Sequence, residues 1–144
     1  MNPRSDAKRL AQFFLNFEPN PPTVTAQEKK VRIVNGKPVF YMPARLQAAH
    51  AELSAKLAKF APPVPFAGPL KLECAWVFTS PRGAKGMWKT TKPDTDNLQK
   101  LLKDVMTRCG FWKDDALVCH EGVMKCHAPA RERHGIHIAI TALD

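Results

Sequence analysis

The run Leu70 to Thr79 carries Leu70, Leu72, Cys74, Trp76 and Phe78 at every second position. Successive side chains of a strand point to opposite faces, so this alternation sets five large apolar groups on one side. A chain carrying it needs a sheet, and something to lie against that sheet. Two helical stripes answer the need. Leu46, Ala49, Leu53, Leu57 and Phe60 recur at helical spacing after Pro43, a residue suited to opening a helix. Leu98, Leu101, Leu102 and Val105 form a second stripe, on a helix expected from about Thr95 to Arg108 with Gly110 as its stop. Both stripes are expected in the core.

The remaining elements are shorter. Gln12 to Glu18 reads as a first strand, ended by Pro19-Asn20-Pro21-Pro22. Val31–Val34 and Pro38–Tyr41 flank Asn35-Gly36, a strong hairpin signal. Leu117–Met124 and Ile136–Ala142 read as two last strands, the second alternating Ile136, Ile138 and Ile140 with His137 and Ala139. Ala61 to Pro69 holds four prolines and is an extended connection too short to divide domains. The expectation is one α+β domain over residues 1–144, with a mixed or antiparallel sheet covered by two main helices.

Charge narrows the function. The chain has 22 Lys and Arg against 13 Asp and Glu, a formal net charge of +9, which favours an anionic partner. No apolar run approaches the roughly 20 residues needed to cross a membrane, and Met1–Arg9 is polar, unlike a secretory leader. The four cysteines are therefore read as reduced thiols of a cytoplasmic protein. Against the basic background, Asp94, Asp96, Asp104, Asp114 and Asp115 gather within one short stretch. Such carboxylates repel one another unless a cation neutralises them, so a divalent-metal site on a protein that binds a polyanion is one reading. The other is structural: Asp94 or Thr95 caps a helix, Asp96 favours its dipole, Asp104 pairs with Lys100, and Asp114-Asp115 form a turn. On that reading the chain is a noncatalytic, basic DNA-binding module.

Lys92-Pro93-Asp94-Thr95-Asp96-Asn97-Leu98-Gln99-Lys100, followed by Gly110-Phe111-Trp112-Lys113-Asp114-Asp115-Ala116, resembles the signature of the RusA family of Holliday-junction resolvases. That signature is D-x-D-N-x-x-K, a helix with a further Asp, then W-x-D-D entering a strand. Weaker similarity reaches Asn20-Pro21-Pro22 and Lys125. The resemblance implies that Asp94, Asp96 and Asp115 ligate a catalytic Mg²⁺, with Mn²⁺ a substitute. Lys100 is then essential without being a ligand, and Asp104 and Asp114 support the ligands from behind. It further implies a homodimer acting on branched DNA, four-way junctions above all. Each subunit would cut one of two symmetry-related strands, leaving a 5′-phosphate and a 3′-hydroxyl, and the gene would be bacterial or carried by a bacteriophage. Where the family has a dense arginine run before the first Asp, this chain has a spaced basic loop, and the hairpin between Pro22 and Tyr41 aligns poorly.

That loop, Ser80 to Pro93, carries Arg82, Lys85, Lys89 and Lys92 with Trp88 among them, a composition suited to phosphate contacts and base stacking. Arg82, Lys85, Trp88, Lys89, Lys92 and Lys125 are the expected DNA contacts. Cys119-His120 and Cys126-His127 are spaced too widely for a zinc knuckle and fall along a strand, so they are read as ordinary strand residues.

Overall fold

A computed structural model describes residues 8–24, 30–81, 87–129 and 131–144. The sheet expected from the sequence is present and mixed. Its strands are β1 (Lys8–Asn16), β4 (Leu70–Thr79), β5 (Val118–Ala128) and β6 (Gly135–Ala142), in the order β1-β6-β4-β5. β6 runs antiparallel to both β1 and β4, and β4 runs parallel to β5. A parallel pair needs a long crossover. Here α2 (Thr95–Arg108) supplies it, while α1 (Ala44–Ala58) precedes β4.

β4 alternates buried and half-buried residues along its whole length, with Leu70, Leu72, Cys74, Trp76 and Phe78 inside. They share one core cluster with Leu46, Leu53 and Leu57 of α1, with Leu98, Leu101, Leu102 and Val105 of α2, and with Ile136, Ile138 and Ile140 of β6. Both helices therefore lie on the same face of the sheet. Burying a side chain of this size contributes about 1.5–3 kcal/mol, which makes this cluster the main stabilising feature of the fold. Phe60 departs from the expected stripe. It lies beyond the end of α1, is 42% exposed, and stacks flat on Phe13 at 4.5 Å between ring centres. β1 starts at Lys8, earlier than its aromatic residues suggest, and β5 continues to Ala128, because pairing with β6 and β4 extends both.

The hairpin forms as β2 (Lys30–Val34) and β3 (Lys37–Tyr41), a separate two-stranded sheet. Asn35 and Gly36 both take positive φ, 52° and 75°, as the tight turn between twisted strands requires. Gly110 does comparable work after α2. At φ 87° its N–H reaches the Thr107 carbonyl, and the Phe111 N–H reaches that of Met106, closing the helix end. No helix among the described residues is long and apolar enough to cross a membrane.

Candidate active site and nucleic-acid interface

α2 turns Leu98, Leu101, Leu102, Val105 and Met106 inward, so Asp96, Lys100 and Asp104, spaced four residues apart, fall along its outer side. Asp94 is the N-cap residue with extended backbone (φ −68°, ψ 152°), yet its carboxylate accepts no hydrogen bond from the helix. Its carbonyl alone enters the helix ladder, from the Leu98 N–H at 3.2 Å. Asp94, Asp96 and Lys100 are exposed, and among the described residues neither carboxylate nor Lys100 has an ion pair. Two structural roles considered for these residues are thus not taken up: Asp94 makes no side-chain cap, and Asp104 makes no pair with Lys100.

Asp114 is different. Its Oδ1 accepts the Ala116 N–H at 2.8 Å and caps a short 3₁₀ turn, Asp115–Leu117. Phe111 and Trp112, both buried, bring the chain back to this point. The Trp112 indole donates to Thr107 Oγ1 at 2.8 Å, and that hydroxyl donates to the Lys103 carbonyl at 2.8 Å. Asp114 and Asp115 are thereby set against the last turns of α2. There they line an open pocket of about 480 Å³ with Asp104, Thr107, Arg108 and Lys113.

Asp115 thus shares this pocket with Asp104, which lies two helical turns after Asp96, or about 12 Å along the axis at 1.5 Å per residue. Among the described residues no group of three or more His, Cys, Asp or Glu side chains is disposed to hold a metal ion. Cys119, Cys126 and their neighbouring histidines form no such group either, and the cysteines are free thiols. The Asp94–Asp96 pair has the donor chemistry a hard cation takes: oxygen ligands without partners among the described residues, at a helix start open to water. Mg²⁺ is commonly held by one or two carboxylates, with water and substrate phosphate filling the rest. The pair fits that requirement, whereas Asp115 joins no three-carboxylate group with it.

The basic loop returns along the outer edge of β5. The His127 N–H bonds the Met87 carbonyl at 2.6 Å, the Lys89 N–H bonds that of Lys125 at 3.2 Å, and Trp88 bridges to Cys126. The Lys125 ammonium donates to the carbonyls of Thr91 at 2.6 Å and Pro93 at 2.8 Å. It holds the segment entering Asp94 against the sheet. Lys89 also turns toward protein, 5.0 Å from the centre of the Phe78 ring and 2.7 Å from Thr91 Oγ1. Desolvation, and then the Lys125 charge, push its pKa down. Of the expected DNA contacts, Lys92 and Trp88 face solvent, Trp88 at 59% exposure. Arg82 and Lys85 lie outside the described residues.

The sequence signature thus falls on two elements, a helix start bearing Asp94 and Asp96 and a tryptophan-anchored turn bearing Asp114 and Asp115. A family model for endodeoxyribonuclease RusA matches residues 19–141. The chain belongs to the RusA endodeoxyribonuclease family. It is similar to the crossover junction endodeoxyribonuclease rusA of Lactococcus phage r1t, at 32% identity over 133 residues, covering 90% of this chain and 98% of the relative.

Within the RusA-family motif, Gln99 is a residue that sequence reasoning passed over. It is buried, accepts the Trp76 indole N–H at 2.8 Å, and donates to Glu121 Oε2 at 3.1 Å. Lys103 extends this network, 3.2 Å from Glu121 Oε1. These bonds tie α2 to β4 and β5 and so orient the helix that carries Asp96 and Lys100. The signal available in the sequence was a polar residue one helical turn before Leu102 and Lys103, facing a tryptophan whose N–H needs a partner.

Proposed function

We propose that this chain is a divalent-metal-dependent endodeoxyribonuclease that resolves four-way DNA junctions by paired, symmetric incision. It acts as a homodimer and leaves 5′-phosphate and 3′-hydroxyl ends. The observation that carries the reading is the Asp94 carboxylate, which sits at a helix N-terminus without capping it, beside an Asp96 that has no ion pair among the described residues. A charged N-cap that makes no cap bond forgoes about 1 kcal/mol of helix stability, which a structural aspartate would be expected to keep.

Asp94 and Asp96 are the residues that would hold Mg²⁺ or Mn²⁺, and Asp115, which the family resemblance adds to them, would have to close toward the pair from its place beside the last turns of α2. When bound, that ion supplies charge neutralisation at the scissile phosphate and a water of lowered pKa. Lys100, exposed one turn beyond Asp96 and without an acidic partner among the described residues, would meet a phosphate oxygen there. Lys92 and Trp88 face solvent at the approach to the site and serve to hold the backbone and to stack on a base. Asp114 keeps the turn that presents Asp115, and Asp104 shares its pocket. The crossover junction activity in the name of the phage r1t relative, together with the +9 charge, supports branched DNA as substrate.

Titration calorimetry with Mn²⁺ on the wild type and on Asp96→Asn, paired with cleavage of four-way, Y-shaped and linear DNA, tests this. Metal binding lost in the variant, and cleavage confined to branched DNA, are the expected results. Full activity of Asp96→Asn would remove the metal assignment, whereas a wild type that neither binds the metal nor cleaves would be a noncatalytic DNA-binding module. Sedimentation on a junction is expected to show a dimer, since two symmetric cuts need two sites related by a twofold axis.

A further inference from the structure

Away from the acidic site, the longest run of exposed apolar side chains among the described residues is on the β2–β3 ribbon. All ten of its residues are exposed, Ile33 at 70% and Phe40 at 74%. The register sorts them by face. Val31 stands opposite Phe40 and Ile33 opposite Pro38, so one face is wholly apolar. Lys30, Arg32 and Lys37 lie on the other face, with the Arg32 guanidinium 5.4 Å from the centre of the Tyr41 ring. The sequence holds no acidic residue from Lys30 to Ala51, so nothing within this segment offsets these cations.

Both faces are costly as they stand. A lone two-stranded ribbon is marginal in water, an apolar face of this kind calls for cover, and like charges sharing a strand face repel. A ligand that relieves both costs must be anionic on one side of the ribbon and flat and apolar on the other. A linear duplex lying on the basic face would leave Ile33 and Phe40 in water. A second protein on the apolar face would leave three cations uncompensated. Branched DNA offers both surfaces together, because phosphates line its arms and bases at the branch lose a stacking neighbour.

We infer that the β2–β3 ribbon enters the branch point of a bound DNA junction. Lys30, Arg32 and Lys37 meet backbone phosphates, while Phe40 and Ile33 pack against bases unstacked at the branch. The inference rests on the proposed action on branched DNA and goes further, assigning the discrimination between branch and duplex to these residues.

Two variants test it: Lys30→Gln/Arg32→Gln/Lys37→Gln and Ile33→Ser/Phe40→Ser. Binding to a four-way junction and to a linear duplex is measured by fluorescence anisotropy in chelator, across salt concentrations. The triple variant is expected to lower the slope of log affinity against log salt by about 0.9 for each phosphate no longer neutralised, on both DNAs. The double variant is expected to keep that slope and to lose about five-fold or more in junction affinity, with duplex affinity unchanged. It should also lose the fluorescence rise of 2-aminopurine placed at the branch. Melting temperatures should match the wild type, since every substituted residue lies outside the core. An unchanged slope in the triple variant would overturn the inference, as would an unchanged junction preference in the double variant. Conversion of a dimer to a monomer by the double variant would assign the apolar face to a second copy instead. A wild type with no preference for the junction removes the functional reading itself. Variants indistinguishable from a junction-selective wild type remove this inference alone.

Discussion

Replacing Lys125 with Met separates positioning from DNA contact. Two bonds hold the segment that enters Asp94, from the Lys125 ammonium to the carbonyls of Thr91 and Pro93. The second is part-buried and the first exposed. Hydrogen bonds to charged groups contribute about 1.5–3 kcal/mol when protected, and much less at the surface. Taking about 1.5 kcal/mol for the protected bond and about 0.5 for the exposed one gives about 2 kcal/mol of loop docking. At 1.4 kcal/mol per decade, that shifts the docked fraction by up to about thirty-fold. Methionine keeps the length and apolar stem, so β5 should keep its pairing. The assay is single-turnover cleavage of a four-way junction at saturating protein, alongside binding over a range of salt. The expected result is a cleavage rate lower by about ten- to thirty-fold with the salt slope of binding unchanged. A variant that cleaves at the wild-type rate once saturated, but loses about one unit of salt slope, would refute the reasoning and make Lys125 a phosphate contact.

Three further outcomes are expected. Asp115→Asn should abolish cleavage and keep junction binding, whereas Asp114→Asn should change little, because asparagine caps as well as aspartate; Asp114→Ala should cost about 1 kcal/mol in urea unfolding. If Asp114→Asn proves the more damaging in a cleavage assay, the roles within the pair are reversed. Lys100→Ala should slow single-turnover cleavage far more than it weakens binding, and a loss of affinity alone would move Lys100 to the DNA surface. Gln99→Leu strands the Trp76 indole N–H and should destabilise the fold by about 1–3 kcal/mol, read by denaturant unfolding; an unchanged midpoint would show that the Trp76–Gln99–Glu121 chain is dispensable.

What the sequence determined by itself was everything governed by neighbours along the chain. The bounds of β4 and α2 were legible because side-chain period depends only on local backbone geometry, 2.0 for a strand and 3.6 for a helix. Asn35-Gly36 and Gly110 were legible for the same reason, each supplying a positive φ at one residue or two. The aspartate signature was also local, and the resemblance to the family rests on it. Tertiary structure decided what depends on contacts between distant residues. Lys8 pairs with Ala142, and β5 takes a parallel place beside β4, choices that no period contains. The same long-range packing directs Lys89 and Lys125, both expected DNA contacts, toward Phe78, Thr91 and Pro93, because a lysine's charge is visible in sequence but its direction is not. It also set Asp115 beside Asp104 rather than in a three-carboxylate group with Asp94 and Asp96. The Trp112 anchor on Thr107 fixes how the chain folds back after Gly110, and that anchor exists only once the core has closed around it.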